Sequence, residues 1–186
     1  MKKESKENSA IEAATAVFTR FGYAKTTMGD IAAEAGMSRP ALYLLFPDKQ
    51  AVFDRVIERM DRVKLKDIRD ALPGLEGIAA KLSHACTSWG LDGVQLAEIH
   101  PDSADLFDLR FGAVKAVYAN FQALIAELIQ DAVTRSTLRV KPEDVARTIV
   151  HSLRGLREGA TGVDDMRRLI DVQVAIVVAA LAPSSK

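Results

Sequence analysis

The sequence predicts an all-α protein, with a small N-terminal domain of three helices and a larger helical C-terminal domain, about nine helices in all. Three observations predict it. Apolar residues recur at steps of three and four along most of the chain, clearest in Phe107, Phe111, Val114, Tyr118, Phe121, Ile125, Leu128 and Ala132. Nowhere does a sustained period-2 alternation bounded by turns signal a strand. The stretch TTMGDIAAEAGMSRPALYLLFPDK, residues 26–49, carries a cap or a breaker at each junction of two short helices and a third.

Taken in order, residues 1–8 are polar and read as a frayed arm bearing Lys2, Lys3 and Lys6. A first helix over about Ser9 to Phe21 places Ile11, Ala14, Phe18 and Phe21 at helical spacing, and Gly22 ends it. Thr27 then caps a helix over Met28 to Ala35, with Asp30 three residues on to complete the cap. Gly36 suits the left-handed residue that closes a helix. Ser38 caps the next helix, whose first turn holds Pro40, where a missing N–H costs nothing. Pro47 stops this short helix and Asp48 caps the third. Two short helices meeting at a glycine turn are the helix-turn-helix unit, whose second helix is sized to lie in a DNA major groove. Ile31, Ala32, Ala35, Leu42 and Phe46 face inward and leave Ser38, Arg39, Ala41 and Tyr43 outward.

The block from Phe18 to Phe53, with F-x-x-x-G, T-x-x-x-I-A-x-x-A-G-x-S, L-Y and F-x-x-K, resembles the DNA-binding domain of the TetR family of bacterial one-component regulators. The resemblance covers about a quarter of the chain and is specific in combination. It implies that Tyr43 and Lys49 contact backbone phosphate. Thr27, with its hydroxyl at a helix N-terminus, also suits a phosphate. Arg39 is the candidate reader of guanine O6 and N7, and Ala41 the candidate for a thymine methyl. Ser38 and Pro40 complete the candidate DNA-facing set. Two departures stand against strong binding. Leu44 and Leu45 replace the polar or aromatic residues of many members, and Gly29 costs its helix roughly 1 kcal/mol of propensity relative to alanine. Weak binding or an unusual operator is the expectation.

Beyond the third helix, Asp48 to Ala71 forms a long amphipathic stretch ended by Pro73 and Gly74, and Leu75 to Trp89 a further helix. Gly90 and Gly93 read as a loop, and Pro101 opens the longest helix, reaching Val133 with Gly112 as a kink point. Pro142 starts another, and the last runs from Val163 to Leu181. Val174 to Leu181 is apolar all round, and Gly155 and Gly159 lie four apart where a second helix can approach closely. A four-helix dimer interface follows, with Leu153, Gly155, Leu156, Gly159, Ile170, Val174, Val177 and Leu181 as its candidates. The family resemblance implies the same homodimer. It also implies a small-molecule effector, for which Met60, Trp89, Phe107, Phe111, Tyr118, Phe121 and His151 are the candidate pocket, suited to an apolar or aromatic ligand.

Composition limits the alternatives. With 25 basic and 25 acidic residues the net charge is zero, split as +3 over residues 1–66 and −3 beyond, so no broad basic face is expected. One cysteine rules out an intrachain disulfide and points to a reducing, cytoplasmic setting. The longest apolar run is too short to span a bilayer. Cys86 sits on an apolar face, and His100, Asp102, Asp105 and Asp108 form the only metal-like cluster, read as acidic residues favoured at a helix start. No motif asks for a cofactor, a metal or catalytic residues. The chain therefore reads as residues 1–50, binding a double-stranded DNA operator, and residues 51–186, binding a ligand and a second copy. The function expected is a non-enzymatic repressor released from a pseudo-palindromic operator by its ligand. The alternative is an all-helical small-molecule-binding protein or enzyme with a vestigial helix-turn-helix.

Overall fold

The computed structural model describes residues 2–182 and contains nine α-helices, two 3-10 segments and no strand among them. They are α1 (Lys2–Lys25), α2 (Met28–Glu34), α3 (Arg39–Tyr43), α4 (Lys49–Ala71), α5 (Gly77–Gly90), α6 (Asp92–Ile99), α7 (Gly112–Arg135), α8 (Pro142–Gly159) and α9 (Val163–Ala180). The all-α reading holds. The helices form two compact units, residues 1–62 with 96–117, and residues 63–95 with 118–186. The units are interleaved along the chain, so α4 and α7 contribute residues to both.

The first unit is built on α1 to α3, the N-terminal half of α4 and the 3-10 segment Pro101–Phe107. Its core holds Phe18, Ile31, Leu42 and Phe53 with no exposed surface. The Phe18 and Tyr23 rings stack with centroids 6.0 Å apart, and the other ring contacts among Phe18, Tyr23, Phe53 and Phe111 are edge-on or tilted, with centroids between 4.7 and 5.4 Å. Offset and edge contacts of this kind add to simple area burial. The second unit centres on α5, α8 and α9. Gly90 lets α5 close onto its neighbours: a Cβ there would lie 3.1 Å from Ile170 Cδ1, 3.5 Å from Met166 Cε and 3.7 Å from Leu153 Cδ2.

Four expectations are corrected. Residues 2–8 are helical rather than a frayed arm; Glu7 pairs with Arg55 at 3.3 Å and Glu12 with Arg59 at 2.8 Å, tying α1 to α4. Phe21 is exposed, lying beneath the Arg20 guanidinium instead of in the core. The region of Gly90 and Gly93 is helical, since both glycines are buried packing positions and α6 begins at Asp92. The long helix starts at Gly112, not Pro101. Residues 101–107 are a 3-10 segment, and Asp108 turns the chain by accepting from the Arg110 and Phe111 amides.

Candidate nucleic-acid interface

The helix-turn-helix is assembled from local bonds the residue types dictate. Thr27 Oγ1 accepts from Asp30 N at 3.3 Å, while Thr27 N donates to the Asp30 carboxylate at 2.8 Å, a reciprocal capping box. The Thr27 hydroxyl also donates to Asp30 at 2.7 Å. These bonds, with the Arg39 charge as a smaller cause, hold the Asp30 carboxyl below its ordinary range. At the other end Gly36, at φ 62°, takes the left-handed conformation. Met37 N then donates to Ala32 O at 2.9 Å and Gly36 N to Ala33 O at 3.1 Å, the paired closure of a Schellman motif. Ser38 caps α3 by accepting from Ala41 N at 3.3 Å, with Pro40 in the first turn.

Leu42 anchors α3 with no exposed surface and Phe46 is buried beside it. Ser38, Arg39 and Pro40 are exposed, Ala41 is half-buried, and Tyr43 is 52% exposed. The structure thus gathers five of the seven predicted residues on one short helix and its cap, with Thr27 exposed at the start of α2. Gly29 acquires a reason that propensity concealed. A Cβ there would lie 2.1 Å from Arg39 Nη2, so the glycine makes room for the guanidinium to lie over α2.

Lys49 is more enclosed than a surface phosphate contact. Its ammonium donates to Tyr23 O and Thr26 O, both at 2.7 Å, and sits 4.2 Å over the Tyr23 ring. It closes the carbonyl end of α1. The same elbow turns at Gly22, at φ 72°, which frees the Tyr23 and Ala24 amides to donate to the Asp105 carboxylate at 2.8 Å each. Asp102 pairs with Lys25 at 2.7 Å. Sequence reasoning placed these acids at a helix start; Asp102 does lie in the first turn of the 3-10 segment, and both acids also hold the α1 elbow. No group of three His, Cys, Asp or Glu among the described residues is arranged to hold a metal.

The predicted ligand residues divide between the units. Trp89 stacks on Phe121 at 4.5 Å with planes 1° apart and meets Tyr118 edge-on at 5.1 Å. Tyr118 Oη accepts from Arg157 Nη2 at 3.2 Å, a partner sequence reasoning missed. Met60, Phe107 and Phe111 belong to the first unit, where Phe111 joins the ring cluster, and His151 is exposed on α8. Cys86 is buried and burial pushes its thiol up to about 12, which leaves no thiolate for chemistry.

Of the predicted interface residues, Leu153, Ile170, Val174 and Leu181 are buried within the chain, Leu156 and Val177 half-buried, and Gly155 and Gly159 exposed. Sequence reasoning passed over Val172 and Ile176, which are exposed on α9. The signal was available: they are four apart, and lie round the helix from Ile170 and Val174.

Residues 10–56 match the model of the bacterial regulatory proteins of the tetR family. This chain carries a TetR-family helix-turn-helix domain. Over 56 residues, 30% of the chain, it is 41% identical to the uncharacterized HTH-type transcriptional regulator YfiR of Bacillus subtilis (strain 168), a match spanning 27% of that relative. Beyond the TetR-family domain the likeness is one of fold. A TetR-family transcriptional regulator from Pectobacterium atrosepticum superposes with a TM-score of 0.72 at 21% identity, covering 98% of both chains. RolR in complex with resorcinol superposes at 0.69 and 16% identity, covering 95% of this chain and 88% of RolR.

Proposed function

We propose that the protein is a homodimeric transcriptional repressor that binds a pseudo-palindromic operator and leaves it when a small apolar or aromatic ligand binds. The observation that carries this reading is the intact, fully capped helix-turn-helix with Arg39, Pro40 and Tyr43 exposed on its second helix. Residues 1–50 supply the DNA contacts: Thr27, Ser38, Arg39, Pro40, Ala41 and Tyr43 toward the duplex, and Lys49 through its one remaining N–H. Residues 51–186 supply the ligand site and the dimer contact.

The Trp89, Tyr118, Phe121 and Arg157 cluster supports an aromatic ligand with a polar substituent, since stacked rings beside a guanidinium accept that combination. The resorcinol carried by RolR, a protein of the same fold, is of that class. Exposed Gly155 and Gly159 on α8, with Val172 and Ile176 on α9, support a face covered by a second copy. Two recognition helices then enter successive major grooves when roughly 34 Å apart. A ligand acts as a switch only if it prefers the dimer in which that spacing is lost. We place the protein in the cytoplasm, where its DNA lies; no described helix is long and apolar enough to cross a membrane.

Selection of bound duplexes from a random DNA pool tests the reading. An inverted repeat bound by a dimer is the expected product; sequence-independent retention that vanishes with modest salt overturns it.

A further inference from the structure

The outward ridge of α3 is apolar. Leu42, fully buried, fixes the side of α3 that faces the core. At about 100° per residue, positions two away in either direction lie on the opposite side. Pro40 and Leu44 therefore stand in line there, four apart, with Arg39 and Tyr43 on one flank and Ala41 on the other. Leu44 is 83% exposed, the largest fraction among the exposed large apolar side chains of the described residues. Its backbone remains helical at φ −70°, ψ −20°, and its N–H donates to Pro40 O at 3.1 Å, so the side chain projects from a fixed frame. On its other side it borders a shallow groove with Met37, Ala41 and Leu45.

A leucine has no donor or acceptor with which to read a base edge or hold a phosphate. Among the groups a major groove presents, the thymine 5-methyl is the apolar one. Placing Leu44 against cytosine instead would bury the N4 amino group without a partner. We propose that Leu44 reads a thymine methyl in each half-site, so that the apolar ridge is a specificity element and not a defect. This rests on the regulator reading above. It assigns the position facing Leu44 to thymine in preference to cytosine, beside whatever Arg39 and Ala41 read.

The test uses the full-length protein and a duplex recovered by selection, with each thymine replaced in turn by deoxyuridine, which lacks only the methyl. At one thymine per half-site the replacement weakens wild-type binding about fourfold, the factor for one apolar carbon of about 0.8 kcal/mol. At that position Leu44→Ala shows no further loss, while thymines elsewhere keep their wild-type penalties. Leu44→Met retains the sensitivity and Leu44→Gln loses it. Equal penalties in wild type and Leu44→Ala, or a uniform weakening of all duplexes by Leu44→Ala, overturn the assignment and leave the regulator reading standing. Recovery of no duplex overturns both. Because Leu44 is exposed, unchanged melting temperatures of the variants confirm that the comparison is between folded proteins.

Discussion

Single residues in the DNA-binding unit are set by what lies against them. Gly29→Ala gains roughly 1 kcal/mol of helix propensity in α2 but removes the space the Arg39 guanidinium occupies. The expected result is a melting temperature equal to or above wild type with weaker, less selective operator binding, read by thermal melts beside titrations of matched and mismatched duplexes. Gly22→Ala behaves in the opposite way. At φ 72°, ψ 174°, a region essentially reserved for glycine, a Cβ costs about 1–3 kcal/mol in the backbone alone, and it would lie 2.1 Å from Asp102 O, which is backbone and cannot swing aside. A large loss of stability to urea is expected. Asp105→Ala strips the acceptor from two amides, and bonds to a charged group of this kind contribute about 1.5–3 kcal/mol each at most.

At the scale of the element, α2 depends on its capping box, and the pH dependence follows from the sign of the Asp30 shift. Its carboxyl titrates below the ordinary 3.8 in the folded chain, chiefly because Thr27 bonds the charged form. A lowered folded value means the contribution is present above the unfolded value and is lost as pH falls through the folded one. Asp30→Asn is therefore less stable than wild type at neutral pH, and the gap narrows as pH falls from about 4 through the lowered folded value. Denaturant melts at pH 7 and pH 2.5 check this; a gap as large at the lower pH as at pH 7 contradicts it. Capping was legible because it is local: Thr27, Gly36, Ser38 and Asp48 each act on an amide or a bend within three residues. The break at residues 108–111 was not. The helical spacing of Phe107, Phe111 and Val114 continues through it, whereas the Asp105 carboxylate is committed to amides 81 and 82 positions away.

For the molecule as a whole, the second unit presents two classes of apolar residue with different roles. Leu153→Ala opens a cavity beside Gly90 and Ile170, with an expected loss of about 2–5 kcal/mol in thermal or urea unfolding. Ile176→Glu, at a position 65% exposed, leaves unfolding nearly unchanged but halves the mass by sedimentation and lowers operator affinity, if α9 meets a second copy there. Wild-type protein that sediments as a monomer at micromolar concentration would sink that assignment.

The sequence by itself determined the helical class, the helix-turn-helix with its caps, and the exposure of Ser38, Arg39 and Tyr43 on α3 and its cap. Caps and amphipathic periods act over one or two turns, so residue types suffice to place them. Tertiary structure alone decided the rest. It showed that Lys49 closes the α1 elbow, that Asp102 and Asp105 hold it, that Gly29 houses a guanidinium, and that Phe111 and Trp89 serve separate ring clusters. Period marks a residue as apolar-facing but not which partner it faces, and partners distant in the chain are chosen by packing.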